Sequence, residues 1–168
     1  MFVMSIKVID NFLSPSQYHE LTSLIMAPDF CWSFQDSVIG GTLECNEKYN
    51  YQFIHCFHID LEQTSPNYKL LMKLFFDKLG VRSIVRIKAN LNTQTKQNIV
   101  HGFHTDVDFL CKTAVYYVNS NDGFTVFDNG TKIESVANRM VIFNSNKKHS
   151  GSTCTDQKRR VVINFNYF

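Results

Sequence analysis

The sequence predicts an antiparallel β-sandwich or jelly roll, mostly β, with N-terminal helices packed on one outer face. Three observations lead there: helical patterns are confined to the first half, short β-type runs separated by turn residues fill the second, and no linker or internal repeat divides the chain. With 168 residues, 44% of them hydrophobic, the chain can close one core without staples, so a single domain over 1–168 is expected, with 1–80 as helical support and 81–168 as the β core.

The opening MFVMSIKVIDNF is a short apolar run interrupted by Lys7 and Asp10, too brief for a signal peptide or membrane span, and a cytoplasmic location is expected. In SPSQYHELTSLIMAP, Ser14 suits an N-cap and Pro15 the first helical position, with Tyr18, Leu21, Leu24 and Ile25 forming one apolar stripe before Pro28. KYNYQFIHCFHID alternates aromatic and polar residues as a strand does. In SPNYKLLMKLFFDKLG, Leu70, Leu71, Leu74, Phe75 and Leu79 recur at helical spacing, and Gly80 is a natural stop. From Val81 onward, RSIVRIKANL, KTAVYYVN, GFTVFDNG, TKIESV, RMVIFNSN and RRVVINFNYF read as strands broken by turns such as NSNDG and DNGT.

Composition narrows the chemistry. Seventeen Lys and Arg against 15 Asp and Glu leave no electrostatic footprint for nucleic acid or a membrane surface. Cys31, Cys45, Cys56, Cys111 and Cys154 are widely spaced with no C-x-x-C, which disfavours a disulfide framework and a zinc knuckle.

The stretch HGFHTDVDF concentrates potential metal ligands. If FHTDV is extended, His104 and Asp106 are two residues apart and share a face, so one ion can reach both. An H-x-D pair alone does not define a site; it needs a distant partner, and His149 in NSNKKHSGSTC, at the start of a short strand, is the candidate. Two imidazoles and one carboxylate suit Fe(II) with open positions, and suit zinc as well. A cation beyond the second His separates these, because it can fix the remote carboxylate of a dicarboxylic cosubstrate. Arg159 and Arg160 open the last strand on opposite faces. Val162, Asn164 and Asn166 accompany Arg160, whereas Val161, Ile163 and Phe165 accompany Arg159; the Asn-bearing set suits a polar pocket, which favours Arg160 inward.

The succession of H-T-D, KTAVYYVN, a glycine-bearing hairpin, NRMVIFNSNKKHSG and RVVINFNYF resembles the 2-oxoglutarate- and Fe(II)-dependent dioxygenase superfamily, in particular its prolyl-4-hydroxylase-like branch, over residues 80–168. VIDNFLSPSQYHEL is similar to the lead-in of that branch. The resemblance implies a double-stranded β-helix, with His104, Asp106 and His149 as iron ligands, Arg160 as anchor for the C5 carboxylate of 2-oxoglutarate, and Tyr117 sharing that carboxylate. It implies Fe(II), 2-oxoglutarate and dioxygen as cofactor and cosubstrates, admits ascorbate, and implies hydroxylation of a C–H bond with release of succinate and CO2. The substrate it implies is a prolyl or other residue of a peptide or protein, with a small molecule as the alternative; neither nucleic acid nor membrane is an expected partner.

Two departures from the family pattern stand out. Asn90 and Asn92 occupy the region where relatives place a Tyr near the iron, and Asn166 stands where they place a Trp, so the pocket is expected to be more polar. His101 is expected to face away from His104, and His55 and His58 to lie on opposite faces as structural histidines; Asp108 is a remote candidate for orienting a ligand. Phe103, Phe109, Trp32 and Phe34 are candidates for a substrate mouth or for core, and Lys88, Lys147, Lys148, Lys158 and Arg159 read as a solvated rim. A non-catalytic jelly-roll binding module and a zinc hydrolase are the rival readings, the latter having no evident use for Arg160.

Overall fold

Strand alternation divides the protein into a polar interior between two sheets and an apolar layer under two helices. The computed structural model describes residues 5–38 and 47–168, so Cys45 lies outside it. The larger sheet is antiparallel and has the order β1 (Lys7–Ile9), β9 (Arg139–Asn144), β6 (Lys112–Tyr117), β11 (Arg159–Tyr167), β5 (Ile84–Thr93), β3 (Gln52–Ile59), β2 (Ser33–Gln35), with β4 (Glu62–Gln63) also paired to β3. The smaller sheet runs β10 (His149–Gly151), β7 (Phe124–Phe127), β8 (Lys132–Glu134). Bridges Val100–Ser152 and His104–His149 add residues 100–104 along β10 as a further, irregular strand.

Helix α1 (Pro15–Ile25) starts as its sequence requires: the Ser14 side chain accepts from the Gln17 amide, and the Gln17 side chain returns the bond to the Ser14 amide. Helix α2 (Tyr68–Leu79) ends at Gly80, whose φ of 66° closes the helix in the left-handed region without a Cβ penalty. Their apolar stripes, Leu21 and Ile25 from α1 and Leu71, Leu74, Phe75 and Leu79 from α2, pack with Val161, Ile163 and Phe165 of β11 in one core. The Phe75 ring lies 4.8 Å from Phe165 and 5.0 Å from Tyr116. Each such side chain fully buried contributes about 1.5–3 kcal/mol. A smaller apolar cluster, Val115, Tyr117, Phe127, Val141, Phe143 and Val162, lies on the opposite side of the large sheet.

The first half supplies more strand than its sequence announces. β1, β2 and β4 are two or three residues long, too short to show an alternation, and exist because a neighbouring strand offers a free edge. β3 corrects a parity expectation: Cys56 pairs with Lys88 and His58 with Ile87, so one extra residue is accommodated. His55 and His58 therefore both face the helices. His55 bonds the Cys31 carbonyl and Ser65 Oγ, and His58 stacks on Tyr68 at 5.3 Å. Cys31, Cys56, Cys111 and Cys154 are free thiols, and no helix among the described residues is long and apolar enough to cross a membrane.

Asn138 ties the segment before α1 to this framework. Its backbone has φ 61°, its Oδ1 accepts from the Leu13 amide and the Tyr116 hydroxyl, and its Nδ2 donates to the Leu13 carbonyl. Asn138→Ala leaves three buried groups without partners and puts a Cβ residue at positive φ with no side-chain compensation. A loss of about 3 kcal/mol or more is expected in urea unfolding.

Candidate metal centre and the cavity beside it

Because β11 is central and antiparallel to both neighbours, its period of two sets the composition of each side. Val161, Ile163, Phe165 and Tyr167 belong to the helix-side core, whereas Arg160, Val162 and Asn164 line a cavity of about 60 Å3 between the sheets. β5 repeats the pattern: Ile87, Ala89 and Leu91 join the core, and Lys88, Asn90 and Asn92 line the cavity. Register places Arg160 opposite Asn92, Val162 opposite Asn90, Asn164 opposite Lys88 and Asn166 opposite Arg86.

Arg160 is 3% exposed, with Nε donating to Ser135 Oγ at 2.9 Å and Nη2 to Thr125 Oγ1 at 3.2 Å. No carboxylate among the described residues forms an ion pair with it. A buried guanidinium held only by neutral hydroxyls is costly unless an anion joins it. Burial accordingly pushes its pKa down. Gly123 makes room for the side chain, since a Cβ there would fall 2.6 Å from Arg160 Cδ and 2.8 Å from the Thr153 carbonyl oxygen. Arg159, on the other face, donates to the Met26 carbonyl at the end of α1.

At the other end of the cavity His104, Asp106 and His149 converge, with one potential ligand atom from each within 4.8 Å of the others. Asp106 Oδ1 is 3.9 Å from His104 Nε2, and Oδ2 is 3.9 Å from His149 Nε2. Each imidazole turns its Nδ1 to a backbone carbonyl two residues earlier, His104 to Gly102 at 3.2 Å and His149 to Lys147 at 3.1 Å. An Nδ1–H donated to a carbonyl leaves Nε2 as the lone-pair nitrogen facing Asp106. Burial, and then His149, hold the His104 pKa below the ordinary value, which keeps that ring neutral. This donor set of two imidazoles and one carboxylate on one side fits a divalent transition metal.

Arg86 and Asn166 hold the carboxylate of Asp106. Arg86 Nη2 donates to Oδ1 at 3.0 Å, Asn166 Nδ2 donates to Oδ2 at 3.2 Å, and Arg86 Nε donates to Asn166 Oδ1 at 3.2 Å. Burial alone raises the Asp106 pKa, but His149, Arg86, His104 and the Asn166 bond outweigh it and hold the group below the usual carboxylate range. Asp108, by contrast, is exposed and has no polar partner among the described residues.

The chain was compared with known proteins. No protein-family model matches it, and neither does any curated protein. Among solved structures, a prolyl hydroxylase from Trichoplax adhaerens, in complex with a hypoxia inducible factor peptide fragment, superimposes with a TM-score of 0.69 at 16% identity, covering 97% of this chain and 83% of that one. A 2OG-Fe(II) oxygenase family oxidoreductase from Burkholderia pseudomallei gives 0.70 at 13% identity over 96% and 84%. The fold is that of the 2OG-Fe(II) oxygenases. A non-heme alpha ketoglutarate dependent carbocyclase from nogalamycin biosynthesis shares it, with a TM-score of 0.67 at 10% identity over 96% of this chain and 78% of that one.

Within this double-stranded β-helix, several residues lie elsewhere than their sequence context implies. Four residues separate Val100 from His104 where three separate Ser152 from His149, so residues 100–104 carry one extra residue relative to β10. That irregularity reverses the parity, and His101 and His104 both line the cavity. His101 is 4% exposed. Tyr117 stands behind the cavity wall instead of at it: its buried hydroxyl donates to Thr125 Oγ1 at 2.8 Å, its ring lies 5.6 Å from the Arg160 guanidinium carbon, and Thr125 lines the cavity in its place. Lys88 lines the cavity too and is not part of a solvated rim. Phe34, Phe103 and Phe109 are exposed, and Trp32 packs against Phe30 at 5.1 Å.

Burial first, then Arg160 and His104, push the His101 pKa down to about 4. The folded state thus binds fewer protons at this ring than the unfolded chain, whose histidine titrates near 6.5. The stability linked to His101 is complete above about pH 6.5 and is lost as pH falls toward 4, by about 2–3 kcal/mol. Denaturant unfolding at pH 7, 5.5 and 4.5 is expected to show this decline in the wild type and a flatter one in His101→Asn.

Proposed function

We propose that this protein is an Fe(II)- and 2-oxoglutarate-dependent dioxygenase that hydroxylates an unactivated C–H bond. The observation that carries this reading is the buried Arg160, without an acidic partner, in the same cavity as a His-Asp-His cluster. An anion-seeking group at one end and metal ligands at the other suit a dicarboxylate that chelates the metal while its far carboxylate pairs with the arginine. A zinc hydrolase has no use for such a cation at that depth.

His104, Asp106 and His149 would hold the iron, and Arg160 with Thr125 would hold the C5 carboxylate of 2-oxoglutarate. When bound, the iron would supply the coupling of dioxygen reduction and 2-oxoglutarate decarboxylation to oxidation of the C–H bond. The protein's own contributions are positional and electrostatic. The carbonyls of Gly102 and Lys147 set the two imidazole tautomers, and Arg86 and Asn166 fix both carboxylate oxygens of Asp106. Val115 and Val162 give the cavity a dry side between the polar ends. Tyr117, through Thr125, would position the Arg160 contact without touching the cosubstrate. Two of the similar structures are described as an epimerase and a carbocyclase of alpha ketoglutarate dependence, so hydroxylation is one outcome among those this fold supports. The resemblance to prolyl hydroxylases, one of which was solved with a peptide fragment, points to a prolyl or other amino-acid residue of a peptide; a free small molecule is the alternative class, and the choice between them rests on which groups of the cavity the cosubstrate leaves free.

The test is an anaerobic visible difference spectrum of the protein with Fe(II), before and after 2-oxoglutarate. A weak charge-transfer band that requires protein, metal and 2-oxoglutarate together is expected; folded protein that gives no band moves the reading to a non-catalytic binding module or another metal. Arg160→Ala is expected to weaken 2-oxoglutarate binding by about 3 kcal/mol or more while sparing metal affinity. Arg159→Ala should leave cosubstrate affinity unchanged and lower stability by about 1 kcal/mol through the lost bond to Met26. His149→Ala is expected to lose tight metal binding in a calorimetric titration with Mn(II).

A further inference from the structure

The middle of the cavity carries a second cation that the reading above does not use. Lys88 lies two residues from Arg86 on β5 and lines the cavity, yet it makes no hydrogen bond or ion pair among the described residues. The nearest acid, Asp106, already has both oxygens engaged by Arg86 and Asn166. Beside Lys88 stand Asn90 on the same strand and Asn164 directly opposite in register, and the Oδ1 atoms of both are buried with no hydrogen-bond partner. Burial and then Arg86 push the Lys88 ammonium below the usual lysine range, and the Asp106 carboxylate, already bonded to Arg86 and Asn166, offsets only part of that push.

The charge balance distinguishes this group from the cosubstrate anchor. Bound Fe(II) and Arg160 together offset Asp106 and a 2-oxoglutarate dianion, leaving Arg86 and Lys88 in excess. Arg160 sits at the level of Asn92, four residues of β5 from Lys88, or ~13 Å of strand. A five-carbon diacid that pairs with Arg160 and also reaches the metal engages one carboxylate at each of those ends, which leaves Lys88 without an anion of its own.

We propose that Lys88, with Asn90 and Asn164, binds a carboxylate of the primary substrate, which makes that substrate a small amino- or hydroxy-carboxylic acid and not an uncharged prolyl residue within a peptide. The carboxamides supply the donors and acceptors that an amine or hydroxyl next to the carboxylate requires. This inference rests on the dioxygenase reading, because only a cosubstrate at Arg160 leaves Lys88 for another ligand.

The experiment is calorimetric and thermal-shift binding to the full chain with Mn(II) and 2-oxoglutarate present. The probes are free amino and hydroxy acids, each paired with its primary amide, and an N-acetylated prolyl peptide amide. Acids that bind while their amides do not are the expected result, with Lys88→Met weakening the acids at least about tenfold, Lys88→Arg restoring part of the loss, and 2-oxoglutarate affinity in Lys88→Met staying close to that of the wild type. Equal binding of acids and amides, binding of the peptide amide instead, no response to any acid, or loss of 2-oxoglutarate binding in Lys88→Met overturns the proposal. Failure of the wild type to bind 2-oxoglutarate, with Lys88-dependent binding of acids retained, overturns the dioxygenase reading and leaves the carboxylate site standing.

Discussion

Everything in this structure depends on the alternation along β11. The strand is bonded on both edges, to β5 and β6, and covered on both faces, by the helix-side core on one and by the cavity with its apolar cluster on the other. The odd residues must satisfy the helices and the even ones the cavity, and a shift of one residue would exchange Arg160 for Val161. Such a slip would drive a guanidinium into the Phe75 layer and an aliphatic side chain toward Ser135 and Thr125. The apolar packing under α1 and α2 is thus what keeps Arg160 aimed at the cavity. Arg159 strengthens that choice from the other side by bonding the end of α1.

The polar side of the sheet is more heavily charged than three candidate metal ligands and one arginine require. Asn166 is fully buried and links Arg86, Asp106 and Thr113 Oγ1 in one hydrogen-bonded group. A Trp at this position could not make those bonds. Asn166 and Arg86 therefore act as a pair, the half-buried guanidinium donating to the carboxylate of Asp106 and the carboxamide of Asn166 together.

Much of this arrangement was legible in the sequence, because it follows from periodicity. Ser14, Pro15 and Gly80 announced the helix ends, the even residues of RRVVINFNYF announced a polar face, and H-x-D with a distant histidine announced where potential ligands would gather. What escaped had a common cause. An extra residue falls between His55 and His58 and another within residues 100–104, and a bulge is a property of two paired strands that one of them alone does not encode. Arg86 and Lys88 were different: with Asn90 and Asn92 they form an unbroken polar row opposite Ile87, Ala89 and Leu91, and that row was a readable sign of a polar interior. Tyr117 lies behind Thr125, a depth that the parity of β6 alone does not give, because it depends on how closely β7 approaches.

The grip of Arg86 and Asn166 on Asp106 has a consequence for how the centre is assembled. In small metal-dependent domains the ligands gather only when the ion arrives, so coordination energy is also folding energy. Here the carboxylate is already neutralised and oriented by its own chain, and the two imidazoles are already turned by backbone carbonyls. An ion held by these three residues would therefore enter a site already shaped by the chain's own contacts, with a local charge that Arg86 has partly cancelled and a hold on the ion that is weaker for it. Its occupancy would follow the supply of metal in the surroundings, while the fold around it would not depend on the ion.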